Sequence, residues 1–177
     1  MVNQAEPGAN AGRGMLIAAW ITGLALLTWV FGLWEAEQEN PNRNPQSYRQ
    51  EGVQHLVLER NRAGHYVVSG QINQVPAVFL LDTGATDVVV SQDLAERAGL
   101  NAGARQWAQT ANGRIQVRAT QLDRLALGPI ELYNVNASIN SAMSGNKVLL
   151  GMSALGQVEF SQQGNQLTLH YPTRGVN

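Results

Sequence analysis

The chain has 177 residues, 44% hydrophobic and 14% charged, with formal net charge −1 and no cysteine. This length holds one modest domain with appendages and excludes a large two-lobed enzyme, while the missing thiols exclude a disulfide framework, thiol catalysis and thiolate metal sites. Charges in the later two thirds are balanced and scattered, which excludes a nucleic-acid footprint.

Residues 15–34, MLIAAWITGLALLTWVFGLW, run twenty residues without a charge. As a helix they span ~30 Å, the thickness of a bilayer's hydrocarbon core, and so predict a transmembrane segment preceded by a cytoplasmic tail, residues 1–14. Arg13 precedes the run, Glu35, Glu37 and Glu39 follow it, and Trp34 sits at its far edge. That asymmetry keeps the amino end cytoplasmic. A cleaved signal peptide would have a shorter apolar region and a small-residue cleavage site, which WEAEQ does not supply. Either way the remainder is exported. Residues 35–55 are polar with two prolines and no apolar period, which predicts a flexible tether. GANAGRG at 8–14 lacks the Gly-Lys-Ser/Thr ending of a phosphate loop.

The folded unit is expected over 56–172, with a short tail at 173–177. Eighteen glycines and many Val, Leu, Thr and Gln residues favour short strands and an all-β fold over a helical bundle. HLVLERNRAGHYVVSGQINQVPAVFLLDTG predicts three strands, with turns at Asn61–Gly64 and Asn73–Gln74; DVVVS predicts a fourth. Ser91 is placed to cap a two-turn helix, QDLAERAG, with Asp93 in its first turn, Arg97 in its last and Gly99 beyond it. Alternating residues over 105–140 predict hairpins. NKVLLGMSALGQ predicts a short strand ending at Gly151 and a short helix, and VEFSQQGNQLTLHYP a final hairpin.

Chemistry concentrates at VFLLDTGATDVVVS, residues 78–91. A carboxylate between two apolar strands is costly without hydrogen bonds or a partner, so Asp82 is the candidate reactive group; its plain alternative is a turn aspartate. Leu80-Leu81-Asp82-Thr83-Gly84-Ala85, the VLLG at 148–151 followed by a short helix, and TANGR at 110–114 occur in the order found in pepsin-like and retropepsin-like aspartic proteases. Together they resemble most closely the membrane-anchored, single-lobed retropepsin-like proteases of bacteria.

That resemblance implies a closed β-barrel lobe with a flap hairpin and one or two short helices behind a transmembrane helix. It places the lobe in the periplasm, anchored in the inner membrane. It implies Asp82 as the catalytic residue, Thr83 and Gly84 as support for its loop, and Ala85, Asp87, Thr110, Asn112 and Gly113 as substrate-binding residues. Because such proteolysis uses two carboxylates and only one Asp-Thr-Gly is present, a homodimer is implied, contributing one Asp82 per chain. Met152 stands where retroviral enzymes carry an interface Arg, and Gly113 is the single glycine of the flap tip. Protein or peptide substrates and a lipid bilayer at 15–34 are the expected partners.

No cofactor and no metal are expected. His55, His65 and His170 are widely spaced, and Asp82, Asp87, Asp93 and Asp123 lack a calcium-loop pattern. Gly151-Met152-Ser153 lacks the second glycine of a nucleophile elbow. The alternative to an endopeptidase is a binding module that uses the same groove without cleaving.

Overall fold

The structure is a computed structural model and describes residues 7–110 and 113–172. It falls into two units that divide at Gln38 and Glu39.

The described part of the first unit is helical, in α1 (Pro7–Glu39), whose last residue opens the second unit. Helix is the only open conformation in which a charge-free apolar run satisfies all its backbone groups internally. Its large side chains, Trp20, Leu24 and Trp29 among them, are exposed, and by length and composition the segment Gly12–Glu39 is able to cross a membrane. The helix continues past the expected residue 34 because no breaker intervenes before Asn40, which precedes Pro41 and is steered out of α geometry by the proline ring.

The expected tether over 35–55 is not present as such. After Glu39 the chain enters the β unit at once: Asn40 and Asn42 are buried, the latter only 2% exposed. Asn42 Nδ2 donates to the carbonyls of Glu59 (2.9 Å) and Val67 (2.7 Å), and its Oδ1 accepts from the Glu59 amide (2.7 Å). Its backbone carbonyl accepts from Ser69 at 3.1 Å, and Asn40 Nδ2 donates to Ser69 Oγ at 3.0 Å. Polarity in this stretch thus serves buried hydrogen bonding as well as solvation. Strand β1 (Gln46–Gln50) follows and pairs with β2 (Val53–Glu59) through a turn with positive φ at Glu51 and Gly52. The folded unit therefore starts near residue 39, not 56.

The remaining elements match the expected order. They are β3 (Val67–Ile72), β4 (Val75–Leu81), β5 (Val88–Ser91), α2 (Gln92–Arg97), β6 (Arg105–Thr110), β7 (Gly113–Leu127), β8 (Ile130–Asn140), β9 (Lys147–Leu150), α3 (Met152–Leu155), β10 (Glu159–Gln163) and β11 (Gln166–Pro172). Ser91 caps α2 by accepting the Leu94 amide, and Asn73 and Gln74 take the positive φ values that a tight hairpin turn needs.

Two sheets result. One runs β1-β2-β11-β10; the other runs β3-β4-β9-β5-β8-β7-β6 and is closed by a further β3–β7 pairing, Gln71 with Ala126 and Ile72 with Leu125. Leu56 and Leu58 of β2 lie opposite Leu169 and Leu167 of β11, so alternation puts all four in the core with Phe79, Leu122, Leu125 and Ile130. The described unit is all-β with short helices, as expected, and an apolar helix precedes it.

Candidate active site

Strand β4 lies parallel to β9, Leu80 beside Leu149 and Leu81 beside Leu150. Where β4 ends, the Asp82 amide donates to the Leu150 carbonyl at 3.1 Å, so β9 holds the first residue of the loop in place. The loop then turns on itself. Gly84 N–H donates to Asp82 Oδ1 at 2.9 Å, and Ala85 N–H to the Asp82 carbonyl at 3.2 Å. One carboxylate oxygen is thereby fixed by a backbone amide. A side chain at Gly84 would put its Cβ 3.2 Å from that same oxygen, a tight contact that would push on the carboxylate the amide orients.

The far side of the loop is held by the segment after β9. Met152 and Ser153 amides donate to the carbonyls of Ala85 and Thr86, each at 2.8 Å. Ser153 Oγ accepts from the Val88 amide (3.0 Å) and donates to the Asn136 carbonyl (2.7 Å), joining the loop, α3 and β8. Between these contacts sits Gly151, where a Cβ would lie 2.2 Å from the Asp87 carbonyl oxygen and 2.8 Å from that of Ala85. Gly151 is a close-approach residue, and its backbone neighbours have no flexible end to give way.

Above the loop lies a cleft of about 710 Å³. Asp82, Gly84, Ala85 and Asp87 line it together with Thr86, Val89, Leu149, Ser138 and Asn140, and the hairpin β6–β7 contributes Gln106, Trp107, Ala108, Gln109, Ile115 and Val117. Asp82 and Asp87 are half-buried and Thr83 is exposed. Of the expected flap residues, Thr110 and Gly113 form the last ladder pair of the hairpin, and Asn112 lies outside the described residues. The hairpin residues that line the cleft are thus the strand positions flanking the tip. Sequence reading missed Trp107, Ser138 and Asn140 because alternation gives a strand's faces without saying which face meets a cleft.

Among the described residues no group of three or more His, Asp or Glu could hold a metal. The structure does unite two histidines that the sequence separates: cross-strand register puts His55 opposite His170, with Nδ1 atoms 2.9 Å apart and Ser161 Oγ 2.9 Å from His170 Nε2. They belong to the four-stranded sheet and do not line the cleft.

Chemically, the loop presents one oriented carboxylate to an open groove whose charged lining groups, among the described residues, are both acidic. A single carboxylate can take a proton from water but cannot also donate one to a carbonyl, so proteolysis needs a second acid.

Comparison with known proteins fits this geometry. An uncharacterized protein in the cobV 5' region of Sinorhizobium sp is 31% identical over 115 residues, 63% of this chain and 49% of that protein. Uncharacterized protein RP867 of Rickettsia prowazekii is 27% identical over 125 residues, 67% of this chain and 52% of that protein. The chain spans about half the length of these curated relatives. The crystal structure of a retropepsin-like aspartic protease from Rickettsia conorii is similar with a TM-score of 0.59 at 26% identity, covering 71% of this chain and 96% of that one. The model of the family described as gag-polyprotein putative aspartyl protease matches residues 68–157, from β3 through α3 and including the whole Asp82 loop, and the chain belongs to that retropepsin-like aspartic protease family.

Proposed function

We propose that this chain is a membrane-anchored aspartic endopeptidase that works as a homodimer. The observation that carries the reading is the Asp82 loop: a carboxylate fixed by the Gly84 amide, braced by β9 and α3, and open to a peptide-sized cleft.

Two copies related by a two-fold axis bring their Asp82 side chains together. The pair shares one proton. The charged carboxylate takes a proton from a water molecule, which attacks the peptide carbonyl; the protonated one donates to the carbonyl oxygen. Collapse of the tetrahedral species expels the amine, which leaves with a proton from the dyad, and no covalent enzyme intermediate forms. Thr83 locks the two loops across the axis, and Ala85, Asp87 and the flap residues Thr110, Asn112 and Gly113 hold the substrate strand. Residues 15–34 span the inner membrane with the amino end cytoplasmic, so the lobe faces the periplasm and acts on exported or membrane-associated proteins. Ala19 and Gly23, four apart in α1, allow two helices to approach closely.

Asp82→Asn keeps the shape of the side chain and removes its ionisable group. The full-length variant in detergent is expected to lose cleavage of a diverse peptide library by at least about a hundredfold, as loss of acid–base catalysis implies, while its thermal unfolding stays close to wild type. Cleavage at near wild-type rate would refute the mechanism; a folded wild type that binds peptides and cleaves none would favour a binding module.

A further inference from the structure

Strand register sorts the side chains of the β6–β7 hairpin onto two faces. Gln106, Ala108, Ile115 and Val117 share the face that meets the cleft, Val117 being only 2% exposed. Arg105, Trp107 and Gln109 of β6 lie opposite Arg118, Gln116 and Arg114 of β7; these six share the outer face, and all are exposed. Trp107 and Gln109 border the cleft as residues, but alternation directs their side chains outward. Three arginines that the sequence scatters are thus gathered on one patch. The sequence from Arg105 to Gln121 holds no Asp or Glu, and among the described residues none of the three arginines pairs with a carboxylate. Arg105 and Arg118 are direct cross-strand partners, a like-charge placement that costs stability unless something anionic offsets it. Among them Trp107 is 62% exposed, more than any other large apolar side chain described outside α1. The Arg114 guanidinium carbon lies 5.6 Å from the centroid of its ring, and Arg118 donates to the carbonyls of Gly103 (3.3 Å) and Ala102 (3.0 Å). These contacts hold the patch in shape before any partner arrives.

We infer that the outer face of this hairpin docks on an anionic phospholipid bilayer, its arginines pairing with lipid phosphates and its indole entering the headgroup layer. Guanidinium forks match phosphate oxygens. An indole, apolar in body with one polar N–H, favours the boundary between membrane and water. An acidic peptide would answer the arginines alone, whereas an anionic bilayer surface takes both the charge and the indole. The inference rests on the anchored reading of α1. Trp34 ends the apolar run and Asn40 is already buried in the lobe, so on that reading a bilayer surface is always within reach of the hairpin.

The test keeps docking and anchoring apart. The chain has four tryptophans, and the other three, Trp20, Trp29 and Trp34, are in α1. Full-length protein carrying Trp20→Phe, Trp29→Phe and Trp34→Phe therefore reports on Trp107 alone. It is mixed with bilayers of phosphatidylcholine, or of phosphatidylcholine with phosphatidylglycerol, and its emission and flotation are measured. In the anionic bilayer Trp107 emission is expected to shift to the blue and to be quenched by a lipid spin-labelled at its headgroup. High salt, which screens exposed charges, should reverse both changes. Arg105→Gln with Arg114→Gln should lower the docked-to-free ratio about thirtyfold, as two arginines at an anionic surface imply, whereas Arg105→Lys with Arg114→Lys should keep most of it. Each variant is compared with itself in the two bilayers, so the lost contact between Arg114 and the ring does not enter, and thermal unfolding checks that each is folded. Identical emission in the two bilayers, a difference that salt leaves untouched, or an undiminished response in the folded double Gln variant would overturn the inference. A larger response to an acidic octapeptide added to phosphatidylcholine bilayers would also overturn it and assign the patch to a protein partner. Protein that floats with both bilayers while Trp107 is unaffected overturns the docking and leaves the anchor; protein that floats only with the anionic one, with Trp107 shifted, sustains the docking and overturns the anchor.

Discussion

Glu131, at the start of β8, accepts hydrogen bonds from the Arg124 guanidinium and the Tyr133 hydroxyl. These bonds, Arg124's first, hold its carboxyl well below the ordinary 4.5, at about 2. A carboxylate depressed by folding stabilises the native state above its unfolded value, and that stability is lost as pH falls through the folded one. Between pH 4.5 and 2 the wild type should therefore lose thermal stability more steeply than Glu131→Gln, and salt should shrink the difference because the pair is well exposed. Unfolding curves over that range check it; parallel pH slopes would contradict the assignment. The cluster left no trace in the sequence, since Arg124 and Glu131 meet only once the hairpin register aligns them. Asp82 was legible for the opposite reason, its partner Gly84 being two residues away. Gly151 was readable as the end of a short strand, but the two carbonyls that exclude a side chain there become visible only in three dimensions.

Among the elements, hairpins and capped helices were readable because their turns and caps use residues with specific local chemistry, such as Ser91 before α2 and Asn73-Gln74 between β3 and β4. The segment over 40–55 was misread because polarity is ambiguous: a buried Asn making three backbone-directed hydrogen bonds looks the same in sequence as a solvated one. That difference has an experimental consequence. A protein beginning at residue 56 lacks Asn42, β1 and the first residues of β2, leaving the Val67 carbonyl and both backbone groups of Glu59 without those bonds. Each bond so lost contributes about 0.5–1.5 kcal/mol to stability. A protein beginning at Glu39 is expected to fold and remain monodisperse, whereas one beginning at residue 56 should aggregate or melt many degrees lower; Asn42→Ala should fall between them. Equal melting of all three would show the clamp to be dispensable.

For the whole molecule, the proposed reading as an anchored homodimer has its own consequence. Met152 stands where retroviral enzymes carry an interface Arg, so on that reading a dimer of lobes would lack this ion pair, and an anchor confining chains to a thin layer would compensate by raising their effective concentration. Full-length protein in detergent or bilayer should therefore be more dimeric, and more active per chain, than a protein starting at Glu39 at the same low concentration. Ultracentrifugation together with activity measured on dilution decides this, and a soluble lobe with dilution-independent activity would refute it.

The bracing of the Asp82 loop by Leu150, Met152 and Ser153 also has a consequence in time. These residues come some seventy positions after the carboxylate they support, so a ribosome has made the aspartate long before it makes the strand that orients it. Until that strand arrives Asp82 is a turn residue on an incomplete sheet, with its amide and the Ala85 and Thr86 carbonyls facing solvent. On the proposed reading, proteolytic competence is thus withheld from the growing chain until the segment holding Leu150, Met152 and Ser153 has been made. Released chains stopped at residue 145 are expected to carry the whole Asp-Thr-Gly segment yet show neither cleavage nor affinity for a peptide that the complete protein binds, a contrast that peptide-binding assays measure directly.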